Sequence, residues 1–265
     1  MEKGDYCLVK TSIANLYKTP SFTSELVTQA LIWEKLIICD KKDNWFQVKQ
    51  RDGYIAWLHS FYIIDSSIYD NSQLLDKNDN WYFIKDRLLE IKTNHNEKYF
   101  LSFGALVPCI RDNNNFIIIF PNGEKADINE QKILKYSKSI RLDVILQLSN
   151  SLLGIPYLWG GKSSFGYDCS GFIQTLFNVY GINFRRDSYQ QMRHKNLIKI
   201  KYYDAEVGDL LFFADNKTVN HVAIYLGNGE IIHSSGYVKI EKLKENRELY
   251  KKLYQTMSIK KLINE

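Results

Sequence analysis

Along the first 136 residues apolar and polar positions alternate in short runs, and from residue 137 the repeat changes to a helical one. The early runs YCLVKT, SELVTQAL, EKLIICDKK, WFQVKQ and YIAWLHSFYII are punctuated by the turn signals Thr19-Pro20, Asp43-Asn44 and Asp52-Gly53. Alternation of period two between such turns predicts half-buried strands, and residues 1–65 are expected to close into a small β-barrel. Residues 66–79, SSIYDNSQLLDKND, are polar and read as a linker. A second β-rich segment follows over 80–136, with Pro121-Asn122-Gly123 as the hairpin turn between FIIIF and EKADI.

Beyond Ser137, Ile140, Val144, Leu148 and Leu152 recur at near-heptad spacing and predict a helix. A second helix opens at Asp168-Cys169-Ser170-Gly171, carries Phe172, Ile173, Leu176, Phe177 and Val179, and is stopped by Gly181. After the loop NFRRDSYQQMRH come the strand-like runs LLFFAD, HVAIYLG and EIIHSS, the last two joined at Gly227-Asn228-Gly229. A helix followed by an antiparallel sheet makes residues 137–265 an α+β domain.

That arrangement gives one cysteine a distinct setting. Cys169 sits on the first turn of its helix, where unpaired N–H groups and the positive dipole end favour an anion, so its thiol pKa is expected to fall. Nucleophilic catalysis needs such a cysteine and a histidine in reach, and His221 and His233 lie downstream in strand-like runs. Cys7, Cys39 and Cys109 occupy apolar strand contexts and read as small buried hydrophobes. No CxxC or metal-ligand spacing is present, and the five histidines lack metalloprotease spacing, so neither metal nor cofactor is expected. His95, in a polar turn, reads as an exposed loop residue.

Composition narrows the classes. A chain of 265 residues with 45% hydrophobic content can bury a core for two or three domains. A net charge of +5 without dense Lys/Arg blocks argues against nucleic acid as partner. The N-terminus has no apolar signal core, and no window reaches the roughly 18 apolar residues of a spanning helix. No membrane partner and a cytoplasmic location are therefore expected, with a monomer sufficing and the oligomeric state left open.

Two stretches also carry a resemblance. Trp45, Asp52-Gly53-Tyr54 and Trp57 resemble the pattern of bacterial SH3-type domains, and the second β-rich segment reads as a divergent SH3-like barrel. PYLWGG, YDCSGF, RDSYQQ, VGDLLFF and HVAIYLGNGEIIHSSG, in that order over about residues 138–265, resemble the NlpC family of papain-like cysteine peptidases. With its N-terminal barrels the chain is similar to γ-D-glutamyl-L-diamino acid endopeptidases. The resemblance implies two SH3-like barrels before a papain-like domain, and a thiol peptidase acting on peptidoglycan stem peptides with a free N-terminal L-Ala during cell-wall recycling. It makes Cys169 the nucleophile, His221 the general base and His233 the residue that orients it, with Tyr157 near the oxyanion hole. Asp168 would pair with the substrate ammonium, and Tyr54 of the first barrel would contact substrate. Ser170, Ser188, Asp187 and Arg186 would hold the D-Glu carboxylate or shape the groove. The other expectations are a lytic enzyme acting on intact wall, or a silent stem-peptide-binding protein.

Overall fold

The computed structural model describes residues 1–69, 80–112, 115–135 and 141–263. Contacts divide the chain into two compact units, Met1–Tyr136 and Ser137–Glu265. Within the first, seven strands form one sheet: β1 (Tyr6–Val9), β2 (Ile13–Tyr17), β3 (Leu26–Leu31), β4 (Lys35–Lys42), β5 (Trp45–Lys49), β6 (Ile55–His59) and β7 (Ile63–Asp65), in the order β3-β2-β6-β5-β4-β1-β7. Alternation decides which side chains turn inward. Phe46 faces Leu58 and Val48 faces Ala56 across β5 and β6, and these join Leu16, Leu36 and Ile38 in the core. Tyr54 packs half-buried against that core, its N–H held by Asp52 Oδ1 (2.8 Å), while Gly53 supplies the φ of 86° the turn requires.

A second lobe of the same unit holds β8 (Trp81–Ile84), β9 (Leu88–Lys92), β10 (Lys98–Ser102), β11 (Leu106–Asp112), β12 (Asn115–Ile119), β13 (Lys125–Ile128) and β14 (Ile133–Lys135). They form a five-stranded sheet, β13-β12-β11-β8-β14, and a two-stranded ribbon of β9 and β10. The Pro121-Asn122-Gly123 turn joins β12 to β13 as its sequence predicts, with Phe116 opposite Ile128 and Ile118 opposite Ala126. Ser66–Tyr69, expected to begin a linker, instead form a 3-10 turn, and Tyr69 donates to the Pro121 carbonyl (2.9 Å). Residues 70–79 of the expected linker lie outside the described residues.

The two lobes share a core. Leu31, Ile32 and Trp33 pack with Ile84, Leu101, Val107, Ile118 and Phe120. Trp33 takes a φ of 67°, a left-handed conformation that costs a bulky residue on the order of 1–3 kcal/mol. The indole offsets that cost: its Nε1–H donates to the Ile119 carbonyl (2.8 Å) and its ring meets Tyr69 and Trp81 edge-on.

The second unit comprises α1 (Leu142–Ser151), the short pair β15 (Lys162–Ser163) and β16 (Gly166–Tyr167), α2 (Cys169–Asn178), α3 (Ser188–Gln191), β17 (Ile198–Ile200), β18 (Leu210–Asp215), β19 (Thr218–Gly227), β20 (Glu230–Ser235), β21 (Tyr237–Lys242), α4 (Arg247–Lys251), β22 (Leu253–Ser258) and α5 (Lys260–Ile263). Six strands form the antiparallel order β17-β22-β18-β19-β20-β21. Ser137 and Ile140, the expected start of the first helix, lie outside the described residues. The buried face of α1 is Ile145, Leu148 and Ser149, with Leu152 just beyond, so the apolar stripe is rotated from the one read off the sequence.

Helix α2 is buried on every side from Cys169 to Phe177 and packs on β19 and β20. Only glycine fits at position 171, because a Cβ there would lie 2.1 Å from the Gly161 carbonyl oxygen. This close approach locks the start of the helix against the Gly160-Gly161 turn. It fixes where Cys169 sits.

Candidate active site

Cys169 is the first residue of α2, and its sulfur lies 3.7 Å from the Asn220 carbonyl of β19, one residue before His221. His221 Nε2 and His233 Nδ1 are 2.7 Å apart, with ring centroids separated by 5.0 Å. Helix start and central strand thus set the thiol beside the residue preceding His221, whose ring pairs with His233 of the neighbouring strand. His233 is 1% exposed, whereas His221 keeps a partly exposed edge.

The thiol environment departs from the sequence expectation. Burial, with the neighbouring Asp168 charge, pushes the Cys169 pKa up to about 12. Hydrogen bonds from the Val222 and Ser170 N–H groups and the Arg186 charge pull the other way without cancelling it. The helix start therefore does not by itself produce a thiolate here: desolvation outweighs the dipole. Burial also holds His221 and His233 below the ordinary imidazole range, although Glu241 opposes the shift at His233. Burial thus opposes charge on each of the three groups taken singly.

An imidazole held neutral in the fold and free to protonate once unfolded stabilises above the unfolded pKa of about 6.5 and loses that contribution as pH falls. The unfolding free energy is expected to be flat above pH 7 and to drop below about 6.5, with a slope approaching about 2.7 kcal/mol per pH unit if both histidines contribute. His233→Gln is expected to reduce that slope. Urea titrations at pH 5, 6, 7 and 8 would measure it, and a midpoint independent of pH across that range would contradict the shifts.

Asp168 and Arg186, both expected at the substrate, are partners of each other. Arg186 is 2% exposed and donates through Nη1 to Asp168 Oδ1 (3.0 Å) and Ser170 Oγ (3.0 Å), and through Nη2 to Asp168 Oδ2 (2.5 Å). Asp168 also caps α2, accepting from Gly171 N–H (2.7 Å) and Ser170 Oγ–H (3.2 Å), and accepts from Gly160 N–H (3.0 Å). Both carboxylate oxygens are thus engaged within the fold. These residues hold the Cys169 turn.

The remaining candidates divide. Tyr157 is partly exposed and close enough to Cys169 and Asp168 that, after burial, their charges raise its hydroxyl pKa. Ser188 is buried at the start of α3 behind its cap Asp187, whose N–H donates to Gln190 Oε1 (3.4 Å). Gln191, which the sequence reading passed over, is fully buried and donates to the Ser170 carbonyl (2.9 Å) and the Arg185 carbonyl (3.0 Å). It ties α3 to the Cys169 turn, and its place in RDSYQQ is the signal the sequence offers. Tyr54 belongs to the other compact unit, half-buried against its core.

A buried thiol at a helix start with a histidine pair behind it defines the class: a cysteine-dependent hydrolase on an α+β fold. The chain belongs to the NlpC/P60 family of cysteine peptidases, whose model matches residues 154–260, and the model of the bacterial dipeptidyl-peptidase SH3 domain matches residues 16–60. Among relatives, a gamma-D-glutamyl-L-lysine dipeptidyl-peptidase of Bacillus cereus is 30% identical over 80% of this chain and 68% of its own length. One of the same name from Bacillus subtilis is 28% identical over 85% and 78%. An NlpC/P60 family protein from Bacillus cereus has a solved structure matching 95% of this chain and 98% of its own, with a TM-score of 0.84 at 23% identity. Among the described residues no helix is long and apolar enough to cross a membrane.

Proposed function

We propose that the protein is a dipeptidyl-peptidase that cuts the γ-D-glutamyl–diamino acid bond of peptidoglycan stem peptides bearing a free N-terminal L-Ala, in cytoplasmic recycling of wall fragments. The observation that carries it is the cluster of Cys169, His221 and His233, together with the shared name of two relatives that align with most of this chain. Those names favour L-lysine as the diamino acid.

In this reading the Cys169 proton passes to His221 as sulfur attacks the γ-glutamyl carbonyl, giving a tetrahedral oxyanion. The Cys169 N–H at the helix start, with Tyr157 nearby, stabilises that oxyanion. Collapse breaks the C–N bond while His221 protonates the leaving amine. Water, deprotonated by His221, then cleaves the thioester, releases L-Ala-D-Glu and restores the thiol. Asp168 and Arg186 serve by holding the loop that presents the nucleophile.

The test uses L-Ala-γ-D-Glu-L-Lys, its meso-diaminopimelate counterpart, and both with acetylated N-termini, products being read by mass. Release of L-Ala-D-Glu from the free-amine peptides alone is expected. Equal cleavage of the acetylated peptides would point to intact wall as substrate, and no cleavage of any would move the weight to a binding protein.

A further inference from the structure

The catalytic cluster continues past His233. Strand β21 lies beside β20 with Lys239 opposite His233 and Glu241 opposite Ile231, so Glu241 is the diagonal neighbour of His233 on the same face. Glu241 Oε1 approaches His233 Nε2 at 3.1 Å. The pair falls short of a well-formed hydrogen bond, and among the described residues no other group bonds that nitrogen. The carboxylate is itself anchored: Asn246 Nδ2 donates to Oε1 (2.9 Å) and Lys239 Nζ pairs with Oε2 (2.9 Å). Burial would raise the Glu241 pKa, but the Asn246 and Lys239 hydrogen bonds outweigh it and hold the group ionised.

An ionised carboxylate only accepts. Facing it, a neutral His233 is favoured with its proton on Nε2, which leaves a lone pair on Nδ1. That nitrogen, 2.7 Å from His221 Nε2, then accepts, so His221 carries its proton on Nε2 and keeps a lone pair on Nδ1. One acceptor fixes the tautomers of two rings in series. The charged groups facing His233 are Glu241 and Lys239 from β21, with His221 facing it from β19.

We propose that Glu241 is a positioning residue of the peptidase: it orients His233 and, through it, presents His221 Nδ1 as the base for Cys169. The proposal rests on the reading of Cys169 and His221 as nucleophile and base. Glu241→Leu is expected to lower kcat about 10- to 100-fold at unchanged KM, by analogy with the loss of a carboxylate that orients a metal-bound histidine. It is also expected to displace the acid limb of the kcat profile. Glu241→Gln, whose amide oxygen can still accept from His233, is expected to retain most of the activity. Imidazole 15N NMR of the wild type, which needs no variant to fold, should show both rings protonated at Nε2, and Glu241→Leu should show a mixture at His233. A wild-type His233 protonated at Nδ1, or Glu241→Leu with wild-type kcat and unchanged tautomers, overturns the proposal. Activity persisting in Cys169→Ala would instead overturn the underlying reading, while the NMR result would still decide the geometry.

Discussion

Cys169→Ala and His221→Ala are each expected to lower kcat/KM by ~10⁴-fold or more, with the double variant no slower than the worse single one. Burial opposes charge on the thiol and on the imidazole taken singly. With the thiol pushed up to about 12, almost no thiolate exists near pH 7 unless His221 removes the proton during attack. A histidine without the thiol has nothing to activate, and a thiol without the histidine stays protonated. Two groups that act as one unit cannot have additive effects. Dipeptide release from the free-amine tripeptide would measure all three variants. A His221→Ala enzyme within about tenfold of wild type would sink the pairing, because a general base contributes more than that.

Arg186→Met is expected to destabilise the fold by about 3–5 kcal/mol, the range for breaking a buried ion pair from one side. Methionine fills much of the volume but leaves the Asp168 carboxylate buried with its charge uncompensated. Arg186→Lys should recover only part of the loss, since one ammonium cannot reproduce the donation to both Asp168 oxygens and to Ser170 Oγ. Combining Arg186→Met with Asp168→Asn is expected to be milder than Arg186→Met alone, because the stranded charge goes with its partner. Urea midpoints followed by near-UV circular dichroism would rank the four proteins. An Arg186→Met protein as stable as wild type would show that water or relaxation neutralises the site.

Much of this was legible in the chain. The Asp-Cys-Ser-Gly helix start, the Gly227-Asn228-Gly229 hairpin and the Pro121-Asn122-Gly123 turn each encode their conformation locally, and the structure has them where the residues imply. What escaped depends on contacts distant in sequence. The partnership of Asp168 with Arg186 spans 18 positions and arises only when the loop after α2 folds back. Read singly, neither residue shows the other as its partner. Glu241 lies in a run, YVKIEK, that carries no catalytic signature, and only the strand register places it beside His233. The raised thiol pKa escaped because a dipole argument counts what a helix end offers and not the solvent the fold removes.

Trp33 has a bearing on how such chains can be recombined. Its indole leaves the seven-stranded sheet to sit among Ile84, Phe120 and Trp81, so the border of the SH3-type sequence pattern is not a border in the folded material. A cut after residue 65 would strip cover from Leu31, Ile32 and Trp33 and present water with a sticky face. Anyone building chimaeras from this family would move residues 1–136 as one cassette, or redesign three side chains before moving less.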